Sequence, residues 1–97
     1  MTIEFVNQYI DEKMKDKPEI IRFGYNELRV EQNLSDADTL ALISMAAQKL
    51  KNDYRVYRTG QKYYYGGKVN TVETNELLIA IKKGIKISRE IWNEQNI

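Results

Sequence analysis

KNDYRVYRTGQKYYYGGK, residues 51–68, places five tyrosines and five basic side chains in eighteen positions and changes the hydrophobic period of the chain. Before it, apolar residues recur at helical spacing; within it they alternate. Tyr54, Val56 and Arg58 share one side of an extended chain and Arg55, Tyr57 and Thr59 the other, because successive strand side chains point to opposite faces. Gly60 permits a tight turn, so residues 62–65 are expected to run back as the partner of that strand. Gly66 and Gly67 offer a second turn, returning through residues 68–72. After Glu73, Thr74 and Asn75, the run ELLIAIKK, residues 76–83, is apolar enough for a central strand.

Upstream, Ile3, Val6, Ile10 and Met14, with Phe5 and Tyr9 alongside, predict a first helix. Thr2 is placed to cap it, and Lys13, Lys15 and Lys17 precede Pro18, which stops it. EIIRF, residues 19–23, reads as a short strand closed by Gly24. GYNELRVEQN, residues 24–33, predicts a short helix with Gly24 as N-cap, Glu27 reaching back to it, and Asn33 as the stop. Ser35 followed by Asp38 is the S-x-x-D form of a capping box and starts a longer helix, residues 35–52. On a helical wheel Thr39, Leu40, Ile43, Ala46, Ala47 and Leu50 form its core face, and Asp38, Ala41, Met45, Gln48 and Asn52 the opposite one. Gly84 breaks the chain before ISREIWNEQNI, residues 87–97, an expected terminal helix in which Ile87, Ile91 and Trp92 pack. Trp92 suits core or dimer packing better than a ligand contact, which keeps a homodimer among the readings.

Ninety-seven residues suffice for one domain, residues 1–97, with a single modest core. No run approaches the roughly 18 apolar residues of a membrane span, and MTIEFVNQYIDEKMK lacks the basic start and apolar centre of a signal peptide, so a cytoplasmic protein without a membrane partner is expected. With no Cys and no His the chain has no thiolate nucleophile, no imidazole base and no zinc site of the usual kind. Asp36 and Asp38 lack the rest of a calcium loop, and no phosphate-loop pattern surrounds Gly66 and Gly67. A non-enzyme without metal or cofactor follows. Residues 1–48 hold five basic and nine acidic side chains, whereas residues 49–89 hold ten basic and three acidic. A positive half of this kind suits nucleic acid or an acidic protein.

Arg55, Arg58, Lys62 and Lys68, interleaved with tyrosines, have the chemistry to track phosphates while rings stack on sugars or bases. The plainer reading is a half-buried sheet, where tyrosine is favoured and basic side chains blunt the edges. Met45, with Ala41 and Leu42, forms an apolar patch suited to a protein partner unless another helix covers it.

The order helix, strand, helix, turn, helix, strand, hairpin loop, strand resembles the winged helix-turn-helix family. The resemblance rests on FGYNELRVEQNLSDADTLALISMAAQKLKNDYRVY, residues 23–57, and covers roughly residues 1–82 by order of elements. It implies an α+β fold of winged-helix type: three helices, a small antiparallel sheet and a C-terminal helix. It also implies a small regulatory protein that binds duplex DNA, with helix 35–52 in the major groove and the wing, residues 59–75, on the backbone or minor groove. Arg55, Arg58, Lys62 and Lys68 would then anchor on phosphates, and Thr39, Gln48 and Lys49 would reach bases. Small size and abundant Lys, Asn, Ile and Tyr suggest a phage or other mobile element. The alternative fold is a four-stranded meander flanked by helices. The alternative function is an interaction module or inhibitor that uses Met45, Tyr57 and Tyr64 to occupy an acidic or nucleic-acid-binding surface of a host protein.

Overall fold

The computed structural model describes residues 1–84, and the expected terminal helix with Ile87, Ile91 and Trp92 lies outside them. The elements are α1 (Ile3–Met14), β1 (Ile20–Gly24), a π-helical turn (Glu27–Glu31), α2 (Asp36–Leu50), β2 (Tyr54–Arg58), β3 (Lys62–Tyr65), β4 (Lys68–Thr71) and β5 (Glu76–Lys82). The class is α+β, with three helical segments and two small antiparallel sheets.

Helix starts follow the capping residues. The Thr2 hydroxyl accepts the Phe5 N–H at 3.1 Å, and the Ser35 hydroxyl accepts the Asp38 N–H at 3.1 Å, each satisfying a donor that the first helical turn leaves unpaired. Between β1 and α2 the expected short helix is one wide turn, closed by the Gln32 N–H on the Glu27 carbonyl at 3.0 Å. Asn33 stops it in the left-handed region, at φ 54°.

β5 is the middle strand of a three-stranded sheet ordered β1–β5–β2, antiparallel to both neighbours; Ala80 lies opposite Ile21 on one side and Val56 on the other. Leu78 and Ala80 face the helices, in a core that includes Val6, Ile10, Phe23, Leu28, Leu42, Leu50 and Tyr54. Ile79 and Ile81 face the other way, against Tyr63 and Val72, with Ile20, Tyr57 and Tyr65 packed alongside. Each fully buried Val, Leu, Ile or Phe among them contributes about 1.5–3 kcal/mol of transfer free energy.

Two expectations change. β3 does not pair with β2; it pairs with β4, in register from Lys62 opposite Thr71 to Tyr65 opposite Lys68. Gly66 and Gly67, at φ 66° and 80°, form the two-residue turn that suits a twisted hairpin. The edge of β2 is instead taken by β5. Around Gly60 the chain leaves the sheet: Gly60 donates to the Val72 carbonyl, Val72 to the Gln61 carbonyl, and Arg58 to the Gln61 side chain. The β3–β4 hairpin thereby becomes a second layer over Ile79 and Ile81, which would otherwise face water. The second change concerns α2, whose buried stripe is Thr39, Leu42, Ile43, Ala46 and Leu50, while Leu40 is 62% exposed. Leu42, fully buried in the core it shares with Val6 and Ile10 of α1, and the half-buried Met45 take the place expected for Leu40, while Lys49 pairs with Asp11 of α1 at 3.0 Å at the margin.

Tyr54 is 2% exposed and donates its hydroxyl to the Pro18 carbonyl at 2.7 Å. Tyr54→Phe is expected to lower the unfolding free energy by about 1 kcal/mol, and Tyr54→Ala by about 4 kcal/mol, in urea denaturation. An unchanged midpoint for Tyr54→Ala would show that this ring lies outside the core.

Candidate functional site

Strand alternation separates the basic residues singled out in the sequence. Arg55 lies on the hairpin side of the three-stranded sheet and Arg58 on the helix side. In the hairpin, Lys62 shares one face with Tyr64, whereas Lys68 sits opposite Tyr65 on the other face. Lys82 and Lys83 are engaged by main chain, the ammonium groups donating to the carbonyls of Lys17 at 3.4 Å and Lys51 at 2.8 Å. Lys49 is paired with Asp11, and Gln48 is exposed on α2. Met45 is half-buried against the helical core, Tyr57 packs against Tyr63 with tilted rings whose centroids are 5.7 Å apart, and Tyr64 is buried.

Two of these residues do meet. Thr39 and Arg58 line a cleft of about 420 Å³ together with Tyr25, Arg29, Asp36, Leu40, Ile43, Thr59 and Leu77. Its position follows from the fold. The π-helical turn supplies Arg29 just after Tyr25, the first turns of α2 supply Asp36 to Ile43, and the adjoining ends of β2 and β5 supply Arg58 and Leu77. Tyr25 is fixed by its N–H on the Asn75 carbonyl at 2.8 Å, and the Thr59 hydroxyl donates to the Glu76 carbonyl at 2.6 Å.

Arg29 is ion-paired with Asp36, and its guanidinium lies 5.7 Å from the Tyr25 ring centre. Those two charges largely cancel, and Arg58, half-buried, has no acidic partner among the described residues. The Thr39 hydroxyl and the Arg29 Nε–H are buried and, among the described residues, have no hydrogen-bond partner. Each such unpaired buried group costs about 1–3 kcal/mol. The cleft thus combines apolar walls, one uncompensated cation and buried donors, a chemistry suited to binding an anion with an apolar body. Among the described residues no cluster of acids is placed to hold a metal ion. Sequence periodicity missed Tyr25, Arg29 and Leu77; the only local signal was the opposite charge of Arg29 and Asp36 across the turn at Asn33.

The π-helical turn carrying Tyr25 and Arg29 is held by Glu27. Its Oε1 accepts the Gly24 N–H at 3.2 Å, the reach expected from the sequence, and its Oε2 takes the Tyr9 hydroxyl and the Lys13 ammonium, the latter at 2.7 Å. Lys13 also donates to the Arg22 carbonyl at 2.6 Å and lies 4.8 Å from the Phe23 ring centre. Burial raises the Glu27 carboxyl above its usual 4.5, opposed by the Gly24 N–H and reinforced by Glu31. Burial likewise lowers Lys13, against the pull of Glu31. In both groups burial is the largest cause of the shift, and it disfavours the charged form.

No family model matches the chain, and neither a curated protein sequence nor a solved structure does. No helix among the described residues is long and apolar enough to cross a membrane.

Glu27→Ala, which removes all three contacts, is expected to cost about 2–3 kcal/mol in urea unfolding at neutral pH. Glu27→Gln tests the charge alone. Because the folded carboxyl titrates above its unfolded value, the folded state takes up the proton first as pH falls, and wild type gains stability relative to Glu27→Gln between neutral pH and 4.5. The opposite slope would mean that the Lys13 pair outweighs burial.

Proposed function

We propose that this protein is a small interaction module that binds a partner protein through the exposed face of α2 and the cleft beside it. The observation that carries this reading is the composition of that face. Ala37, Leu40, Ala41, Ser44 and Gln48 are exposed, no basic residue appears among them, and Asp36 and Asp38 stand at the helix start. Such a face has little to offer phosphates, whose contacts favour basic or neutral polar side chains. It suits a protein surface. Of the large hydrophobic side chains exposed among the described residues, Met1, Ile3, Tyr25, Val30 and Leu40 belong to the helical layer, and only Val69 to the hairpin. Val30 is 67% exposed and Leu40 62%, apolar surface that a protein partner would cover.

A second reading, a winged-helix-type protein that binds duplex DNA, is favoured by one specific observation. The sheet order β1–β5–β2, with the β3–β4 hairpin inserted between β2 and β5, is compatible with a wing following the last helix. Arg55, Lys62 and Lys68 are exposed, although Lys62 and Lys68 lie on opposite faces of the hairpin.

The two readings part in one pair of measurements. With a photocrosslinker at Ser44, the interaction reading expects a discrete protein adduct from the native cell that disappears in Leu40→Glu, because a carboxylate would be buried unpaired in an apolar interface. It also expects no shift of random duplex fragments at about 50 mM salt, where backbone contacts register. A duplex shift that falls steeply with salt and is lost when Arg55, Arg58 and Lys62 become Ala would select the DNA reading instead.

A further inference from the structure

We infer that the cleft between the π-helical turn, α2 and the β2–β5 ends takes the C-terminal residue of a partner chain, with an apolar side chain against Leu40, Ile43 and Leu77 and its free carboxylate on Arg58. The inference rests on the partner-binding reading and names the chemistry that reading leaves open. Two observations select this occupant. The charge in the cleft is that of Arg58 alone, since Arg29 and Asp36 neutralise each other, so a single negative charge is its complement. The cation and the apolar walls line the same 420 Å³, so the ligand must carry both characters within about one residue. A chain end does so, because its carboxylate is one bond from the carbon that bears the side chain.

Thr39 adds a donor. It is only 6% exposed, lines the cleft, and its hydroxyl has no partner among the described residues. A threonine in a helix has two accessible χ1 rotamers, and rotation between them redirects the hydroxyl. An arriving carboxylate supplies the acceptor that the hydroxyl lacks. The rim then distinguishes a peptide from a free acid: Tyr25, 42% exposed, and Leu40 continue the apolar surface beyond the cleft, where the preceding residues of a chain would cover them. A small acid would leave that rim in water.

The test uses the full chain labelled with 15N and three probes: a hexapeptide ending in leucine with a free carboxylate, the same peptide as its terminal amide, and N-acetyl-leucine. The free peptide is expected to shift the amide signals of Tyr25, Leu40 and Leu77, and the amide form to bind at least about tenfold more weakly, as loss of a charge-assisted pair requires. Arg58→Gln should reproduce that loss with the free peptide. Thr39→Val should weaken binding severalfold while raising the thermal midpoint of the unliganded protein, because a buried unpaired hydroxyl is replaced by a methyl group. N-acetyl-leucine should shift the same signals with lower affinity than the peptide. Equal binding of peptide and amide, or no shift with either, overturns the inference; so does N-acetyl-leucine binding as tightly as the peptide, which would make this a site for a free acid. A Ser44 adduct without peptide binding would remove this inference and leave the interaction reading standing, and peptide binding without an adduct would keep the cleft as the contact and remove the exposed face of α2 from it.

Discussion

A strand whose side chains alternate between two faces and are nonetheless apolar on both must be covered twice, and β5 is such a strand. Leu78, Ile79 and Ala80 are fully buried and Ile81 nearly so. The rest of the molecule answers that demand. α1, the π-helical turn and α2 cover Leu78 and Ala80; the β3–β4 hairpin covers Ile79 and Ile81; β1 and β2 satisfy the backbone hydrogen bonds of both its edges. A domain of this size has one modest core to spend, and here it is laid on either side of a single strand.

The cleft depends on the same arrangement. Arg58 and Leu77 come together because β2 and β5 are antiparallel neighbours whose register sets Arg58 opposite Leu78. Tyr25 and Arg29 arrive from the opposite edge, where β1 ends and the π-helical turn begins, and Glu27 fixes that turn to both α1 and β1. Burial disfavours the charge of this carboxylate, yet it sets the position of the segment through three directed contacts.

Local features of this fold were legible in the sequence. Thr2 and Ser35 mark their helix starts, Asn33 the end of the short turn, Gly66 and Gly67 the hairpin, and Glu27 the contact back to Gly24, because each acts within a few residues of itself. The apolar run from Leu77 to Ile81 identified the central strand for a similar reason: burial on both faces removes the alternation that a half-exposed strand displays. What stayed hidden was every choice among distant partners. Whether β2 pairs with β3 across three residues or with β5 across about twenty depends on which edge is needed elsewhere, and no local pattern carries that. The rotation of α2 that exposes Leu40 and buries Leu42 follows from packing against α1, whose Val6 and Ile10 share its core from more than 30 positions away. The cleft was invisible for the same cause, since its walls come from residues 25 to 77 and only Thr39 and Arg58 drew notice, for unrelated reasons.

The placement of β5 also orders events in time. β1 and β2 both wait for a strand that is synthesised after them, so neither can form its sheet until residue 82 has been made, whereas the β3–β4 hairpin closes across two residues and the helices form locally. Until then the nascent chain carries two unpaired edges rich in isoleucine, phenylalanine and tyrosine, the kind of surface that associates with other chains. Arg22 and Arg55, exposed on those two strands, keep a positive charge on each edge during that interval.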